Sequence, residues 1–440
     1  MKKYSYTTSL IITLLVFFLY AVSYDYVYRE YVCELFGYSG VDYYPLSSTG
    51  YFYMLIEMLF PVIFYRGLKS IASAFSIAVY ILAYIPFIET LNVAGFPSEV
   101  RISYIVVFLV CMSSLFLTDH LKFGKKVFGD IKRKTWSIQT FEKIVICIFI
   151  ITLLFNLNRL TFVNIIEDSD AMYEQRASNI AGYGPFSIIF AYLISWLEYV
   201  FLPILLIYYL NEGKWIRTMV LLASFVPLFM MSMQKTTLLM PPVTCGLFFL
   251  YKKFKDGFAK FFHILLAVAM GSVSLLCVFL STFSDTFYMI ASIIAMRTQC
   301  IEGMQLNRYM DFFVIRHHPF THYSHIGFIN SITHSYPYPE SIGKMVAGNG
   351  GNSNATFWLM DGLAADGVIG CIFITLLFII VKSFFNSISV KHNYVLVVLV
   401  LINTISAFLN VSLFTSLITC GMVVSYFVFY KLEDGIFIKK

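Results

Sequence analysis

Twelve long, nearly uninterrupted apolar runs constrain this chain more than any other feature. They cover about residues 7–28, 50–65, 70–88, 102–118, 143–158, 185–210, 218–233, 236–251, 262–283, 362–381, 394–410 and 412–430. A helix of roughly 20 apolar residues crosses the hydrocarbon of a bilayer. Outer-membrane strands would alternate polar and apolar residues over shorter stretches. Soluble domains carry about a quarter charged residues; here the share is 13%, against 59% hydrophobic. The same balance excludes a disordered chain, which needs low hydrophobicity and high charge. The expected fold is an all-α polytopic membrane protein with about 12 transmembrane helices.

The charges sort themselves across those runs. With the N-terminus inside, 22 of the 31 Lys and Arg residues fall in inside loops, and 18 of the 25 Asp and Glu residues fall outside or within runs. The positive-inside rule then predicts cytoplasmic termini. The first run follows Met1-Lys2-Lys3 like a secretion signal. Ser23 followed by Tyr24, Tyr26 and Tyr28 is a poor cleavage site, so a retained anchor is expected. Three regions result: 1–283 with helices 1 to 9 and an external loop at 159–184, a large external loop at 284–361, and 362–440 with helices 10 to 12. Loops as long as 284–361 are uncommon without a function. Lys235-Thr236-Thr237 lacks the glycine-rich loop of a Walker motif, and no internal repeat is visible. Six of the eight cysteines lie inside apolar runs; Cys33 and Cys300 lie in polar loops, with pairing left open.

Candidate residues concentrate in the two external loops. Arg176 sits in Tyr173-Glu174-Gln175-Arg176-Ala177-Ser178. An arginine at a cation-poor outer surface suits a phosphate, which it binds bidentately; a salt bridge to Glu174 or Asp170 is the other reading. Arg297 ends an apolar helical stretch at 286–296, with Glu302, Arg308 and Arg316 beyond it. An arginine at the hydrocarbon edge is costly unless paired or functional. Five of the eight histidines follow, at His317, His318, His322, His325 and His334. The i, i+3 spacing of His322 and His325 allows a shared helical face, and each is a candidate general base; a solvated loop is the plainer alternative. Asp168-Ser169-Asp170 has the form of a cation-holding acidic pair or of a solvated acidic loop. Asn352 and Asn354, in a turn-rich stretch before Phe357-Trp358, offer amides to sugar hydroxyls. Asp361 and Asp366 stand at the head of a run, as helix-dipole partners or as site residues. Glu57 and Glu198 lie within runs, where carboxylates are functional candidates. No metal-ligand spacing is present, and no metal or cofactor is expected.

Together these features resemble the Wzy-type polymerases of O-antigen and capsule repeat units. The likeness covers most of the chain as architecture, and locally the run Asn352-Ser353-Asn354-Ala355-Thr356, Trp358, Asp361-Gly362 and Asp366-Gly367-Val368-Ile369-Gly370. Arg176 and Arg297 match the external-loop arginines such enzymes use. The resemblance implies a GT-C-like glycosyltransferase in the bacterial inner membrane, active on the periplasmic side and without a cofactor. Donor and acceptor would be undecaprenyl-diphosphate-linked oligosaccharides. Membrane lipid, a chain-length regulator and a flippase would be its partners, and nucleic acid would not. His322, His325, Glu302 and Asp361 are then the candidate catalytic residues. Arg176, Arg297, Arg308, Arg316, Asn352 and Asn354 are the candidate substrate contacts. A flippase or other transporter shares the span count but keeps its external loops short. An O-antigen ligase would need a later Gly-x-x-Gly after His334-Ser335, and none follows at the expected distance. Cysteine labelling tests the orientation: position 324 should react from outside and position 126 should not. Outside labelling of position 126 would overturn it.

Overall fold

The computed structural model describes residues 6–37, 41–129, 134–160, 187–348, 351–354, 356–408 and 410–437, and among them there is no β-strand. Among the described residues nine helices are long and apolar enough to cross a membrane. Among the described residues the apolar runs are largely helical, and 412–430 is divided into Leu413–Ile418 and Met422–Lys431. Ser48–Phe64 and Tyr394–Ala407 are shorter, and Lys235–Phe254 carries two internal prolines. The chain divides into two compact units. The first comprises Met1–Leu121, Ala259–Ser383 and Leu409–Leu413, and the second comprises Lys122–Phe258, Phe384–Phe408 and Phe414–Lys440.

The first unit is built around residues 71–93. This segment is 94% buried, whereas the other long apolar helices of the first unit expose wide faces. Its opening turn is rich in Ala and Ser (Ala72, Ser73, Ala74, Ser76, Ala78), which let neighbouring helices approach closely. Ser70 caps it, accepting from the Ser73 N–H, with Ser73 reciprocating. Pro86 lacks an N–H and cannot continue the ordinary ladder, and a π-helical stretch at Tyr80–Tyr84 precedes it. The second unit repeats the device with π-helical Leu197–Phe201 before Pro203. Within the first unit Lys382 is fully buried. Its Nζ lies 2.6 Å from Asp119 Oδ1 and 3.0 Å from Ser76 Oγ, and it also donates to the Leu115 carbonyl.

Residues 285–315 lie in the segment read as an external loop, and they are almost continuously helical. Asp285–Ala295 and Ile301–Met310 are joined and followed by π-helical turns, and Ile301–Met310 packs on Ile85–Val93. A larger departure concerns 362–381, expected as a single span. The helical segment Leu359–Ile388 is broken at Asp366 (φ −154°, ψ 31°) and Gly367 (φ 57°, ψ −129°), the second a conformation open essentially to glycine alone. The chain folds back there. Trp358 Nε1 donates to Thr375 Oγ1 at 2.8 Å, Cys371 Sγ donates to the Leu359 carbonyl at 3.3 Å, and Gly362 faces Gly370 backbone to backbone. These pairings define an antiparallel helical hairpin with a short arm at 359–365 and a long arm at 368–388. The long arm retains about the 20 residues that a crossing requires.

A Cβ on Gly362 or Gly370 would run into the opposite backbone. Gly370→Ala should therefore destabilise the protein by about 3 kcal/mol or more, the upper end for overpacking. Gly246, with open space around it in the interior of Lys235–Phe254, is the control. There alanine should be neutral or gain up to about 1 kcal/mol from helix propensity. Thermal unfolding of the two variants in detergent measures the difference.

Candidate functional site

The tip of this hairpin organises the histidine segment. Backbone N–H groups of Thr321 and His322 donate to the carbonyls of Ala364 and Ala365, each at 2.9 Å, and the Thr321 hydroxyl also lies 3.0 Å from the Ala364 carbonyl. The last carbonyls of a helix have no partner inside it, so the 320–325 segment serves as the C-terminal cap of the short arm. Holding that position places His322 (φ 46°) and Tyr323 (φ 60°) in the left-handed region. Such conformations cost on the order of 1–3 kcal/mol each and persist where surrounding bonds impose them. Residues 320–325 are thus a turn and not a helix. His322 and His325 do not share a helical face, as their spacing had allowed; each meets its own carboxylate.

The two pairs differ in kind. His325 Nε2 lies 3.1 Å from Asp361 Oδ1, and its Nδ1 lies 2.7 Å from Thr321 Oγ1. The other oxygen of Asp361 accepts from the Leu413 N–H at 3.0 Å. Their side chains are 9% and 1% exposed. Both ring nitrogens and both carboxylate oxygens are engaged, so this pair is a pin between the turn, the short arm and residue 413. His322 Nδ1 lies 2.6 Å from Asp366 Oδ1, with side chains 69% and 38% exposed. Its Nε2 has no protein partner among the described residues. With Nδ1–H donating to the carboxylate, Nε2 is the basic nitrogen, and Asp366 stabilises the imidazolium formed when that nitrogen takes a proton.

A second set of polar groups is joined through Ser353. Arg308 Nη1 donates to Ser353 Oγ at 3.0 Å, Tyr309 Oη donates to the Ser353 carbonyl at 3.1 Å, and the Ser353 N–H donates to the Gly343 carbonyl at 2.8 Å. Burial, then the charge of Asp361, push the phenols of Tyr309 and Tyr323 upward, so both remain neutral. Asn352 and Asn354 are exposed on either side of buried Ser353, with their side-chain oxygens over Gly343. Arg308 and both asparagines therefore gather around Ser353 and Gly343, and Tyr309 of the same set feels the charge of Asp361.

The other candidates lie elsewhere. Arg297 is exposed and makes no ion pair or hydrogen bond with the described residues; Arg316 pairs with Asp311 at 2.7 Å. Glu302 is buried against the packed helices, away from solvent, and neither oxygen has a hydrogen-bond partner among the described residues. Arg176, Asp168 and Asp170 lie outside the described residues. Glu57 accepts from Asn92 Nδ2 at 2.8 Å, and Glu198 accepts from Thr237. Cys33 and Cys300 are free thiols. Among the described residues no three His, Cys, Asp or Glu side chains gather into a metal-holding group. Thr321 went unnoticed in the sequence. So did the hairpin turn, although Asp366-Gly367 inside an apolar run is a turn signature. Compared with protein-family models, curated proteins and solved structures, the chain matches none.

Burial raises the Glu302 carboxyl well above its ordinary value, which fixes the sign of a pH effect. The folded state holds that proton more tightly than the unfolded chain does. Its contribution to stability is full below the unfolded value of about 4.3 and declines by about 1.4 kcal/mol per pH unit above it, until the folded value is reached. Glu302→Gln should remove that decline. The variant should unfold at a higher temperature than the native protein at pH 8 and show a smaller advantage at pH 5, as measured by thermal unfolding at the two pH values.

Proposed function

We propose that the protein is a membrane glycosyltransferase that polymerises undecaprenyl-diphosphate-linked oligosaccharide repeat units at the outer leaflet of the bacterial inner membrane. In this reading it crosses the membrane twelve times, with both termini in the cytoplasm and its active side periplasmic. One observation carries the reading. An exposed histidine, oriented by a carboxylate through Nδ1 and open at Nε2, stands on a buried scaffold.

The chemistry follows from those groups. A sugar hydroxyl of the acceptor gives its proton to His322 Nε2 as its oxygen attacks the anomeric carbon of the donor glycan. The bond from that carbon to the diphosphate oxygen breaks, and the lipid diphosphate leaves with the electron pair. His322 then passes its proton to water or to the departing diphosphate. Asp366 holds the ring in the productive tautomer and offsets its charge. Arg308 offers a cation to the leaving group, with Arg176 and Arg297 as further candidates. Asn352 and Asn354 suit sugar hydroxyls. His325 and Asp361 act through position, by fixing the turn that carries His322.

The test is surface-glycan laddering in a deletion strain carrying variant genes. Loss of the activity should leave single-repeat glycan and no polymer. His322→Ala should lower the rate about 10²–10⁴-fold, the usual range for a general base. Asp366→Asn should lower it too, with protein amounts unchanged. Arg176→Ala and Arg297→Ala should each lose about 2–4 kcal/mol of transition-state stabilisation if they meet the diphosphate. Normal ladders from His322→Ala at normal expression would reject the assignment.

A further inference from the structure

At the opposite, basic end of the first unit lies a recess of about 360 Å³. It is bounded by the first helix, the turn after Phe64 and the start of Asp256–Ser281, and it is independent of the histidine site and of the polymerase reading. Arg66, Lys69 and Lys260 converge on it, with Thr13, Tyr65 and His263 among its other walls. None of its lining residues is acidic. The walls are built: His263 is buried, its Nε2 lies 2.9 Å from Thr13 Oγ1, and the Tyr65 ring meets the imidazole edge-on at 5.2 Å.

Arg66, Lys69 and Lys260 bring three basic side chains to one recess. Independent snorkelling into bulk headgroups would spread long side chains over the surface. Here they face a single concavity between helices, on the face that the charge rule assigns to the cytoplasm. Basic recesses of this kind accommodate anionic headgroups. Arginine offers a planar fork to phosphate, while the lysines add mobile point charges.

We propose that this recess binds a phosphate group, supplied by an anionic phospholipid of the surrounding leaflet or by soluble phosphate. The experiment places the full-length protein in nanodiscs of phosphatidylcholine, with or without phosphatidylglycerol, and follows thermal unfolding. Inorganic phosphate is titrated into the phosphatidylcholine discs as a second arm. Phosphatidylglycerol should raise the unfolding temperature of the native protein. Lys69→Gln/Lys260→Gln should weaken the apparent affinity about tenfold or more, equivalent to 1.4 kcal/mol. Arg66→Lys keeps the charge and loses the fork; it should unfold as the native protein does in phosphatidylcholine alone yet respond less to the anion. A response to inorganic phosphate and not to phosphatidylglycerol assigns the soluble source. Lys252→Gln/Lys253→Gln, which alters exposed lysines that do not line the recess, should respond as the native protein does. No response of the native protein to either anion would overturn the proposal. An undiminished response from Lys69→Gln/Lys260→Gln, or an equal loss in Lys252→Gln/Lys253→Gln, would also overturn it.

Discussion

The backbone contact between Gly362 and Gly370 is the constraint on which the candidate site depends. With two glycines facing each other, the arms of the hairpin touch without side chains between them. That closeness permits a reversal within Asp366 and Gly367 alone. It also leaves the last carbonyls of the short arm beside the turn residue Asp366. Thr321 and His322 take up the carbonyls, and Asp366 takes up the imidazole. A wider separation of the arms would part these bonds, and the left-handed pair His322 and Tyr323 would have nothing to hold it.

Two histidines three residues apart are thereby given opposite tasks. His325 is enclosed, with each nitrogen and each Asp361 oxygen occupied. Groups satisfied in this way rigidify their surroundings, and removing a member leaves a buried polar atom without a partner. His322 is open to solvent on one nitrogen and oriented through the other. Under the proposed polymerase reading, the enclosed pair would position the turn and the open pair, being exposed, would meet the glycan.

Apolar length alone located the helices, because a lipid-facing segment must satisfy its backbone bonds internally. Hydropathy has no directional content, however. Residues 359–388 read as apolar whether the chain continues or reverses, and only the Asp-Gly pair and the glycine spacing distinguish the two. Asp361 and Asp366 were visible as carboxylates at the head of a run, but their division between two histidines follows from the fold-back. The histidine spacing suggested a helix because periodicity ignores bonds to distant carbonyls. Buried Glu302, and the enclosed carboxyls Asp25 and Glu89, illustrate the same limit: a polar residue in or near an apolar stretch does not reveal which neighbours enclose it.

The buried pair of Lys382 and Asp119 has a consequence for biogenesis. The two partners are 263 positions apart in the chain, so ribosomes deliver Asp119 long before Lys382 exists. An ammonium taken out of water without a partner is expensive, and breaking a formed buried pair costs about 3–5 kcal/mol. The helix carrying Lys382 consequently gains its full favourable environment only when the earlier helices are already assembled with Asp119 and Ser76 presented. Late docking of this helix is therefore the order that the charges favour. The hairpin precedes Lys382 on the same helix, and its final seating, with that of the histidine turn, belongs to the closing stage of assembly.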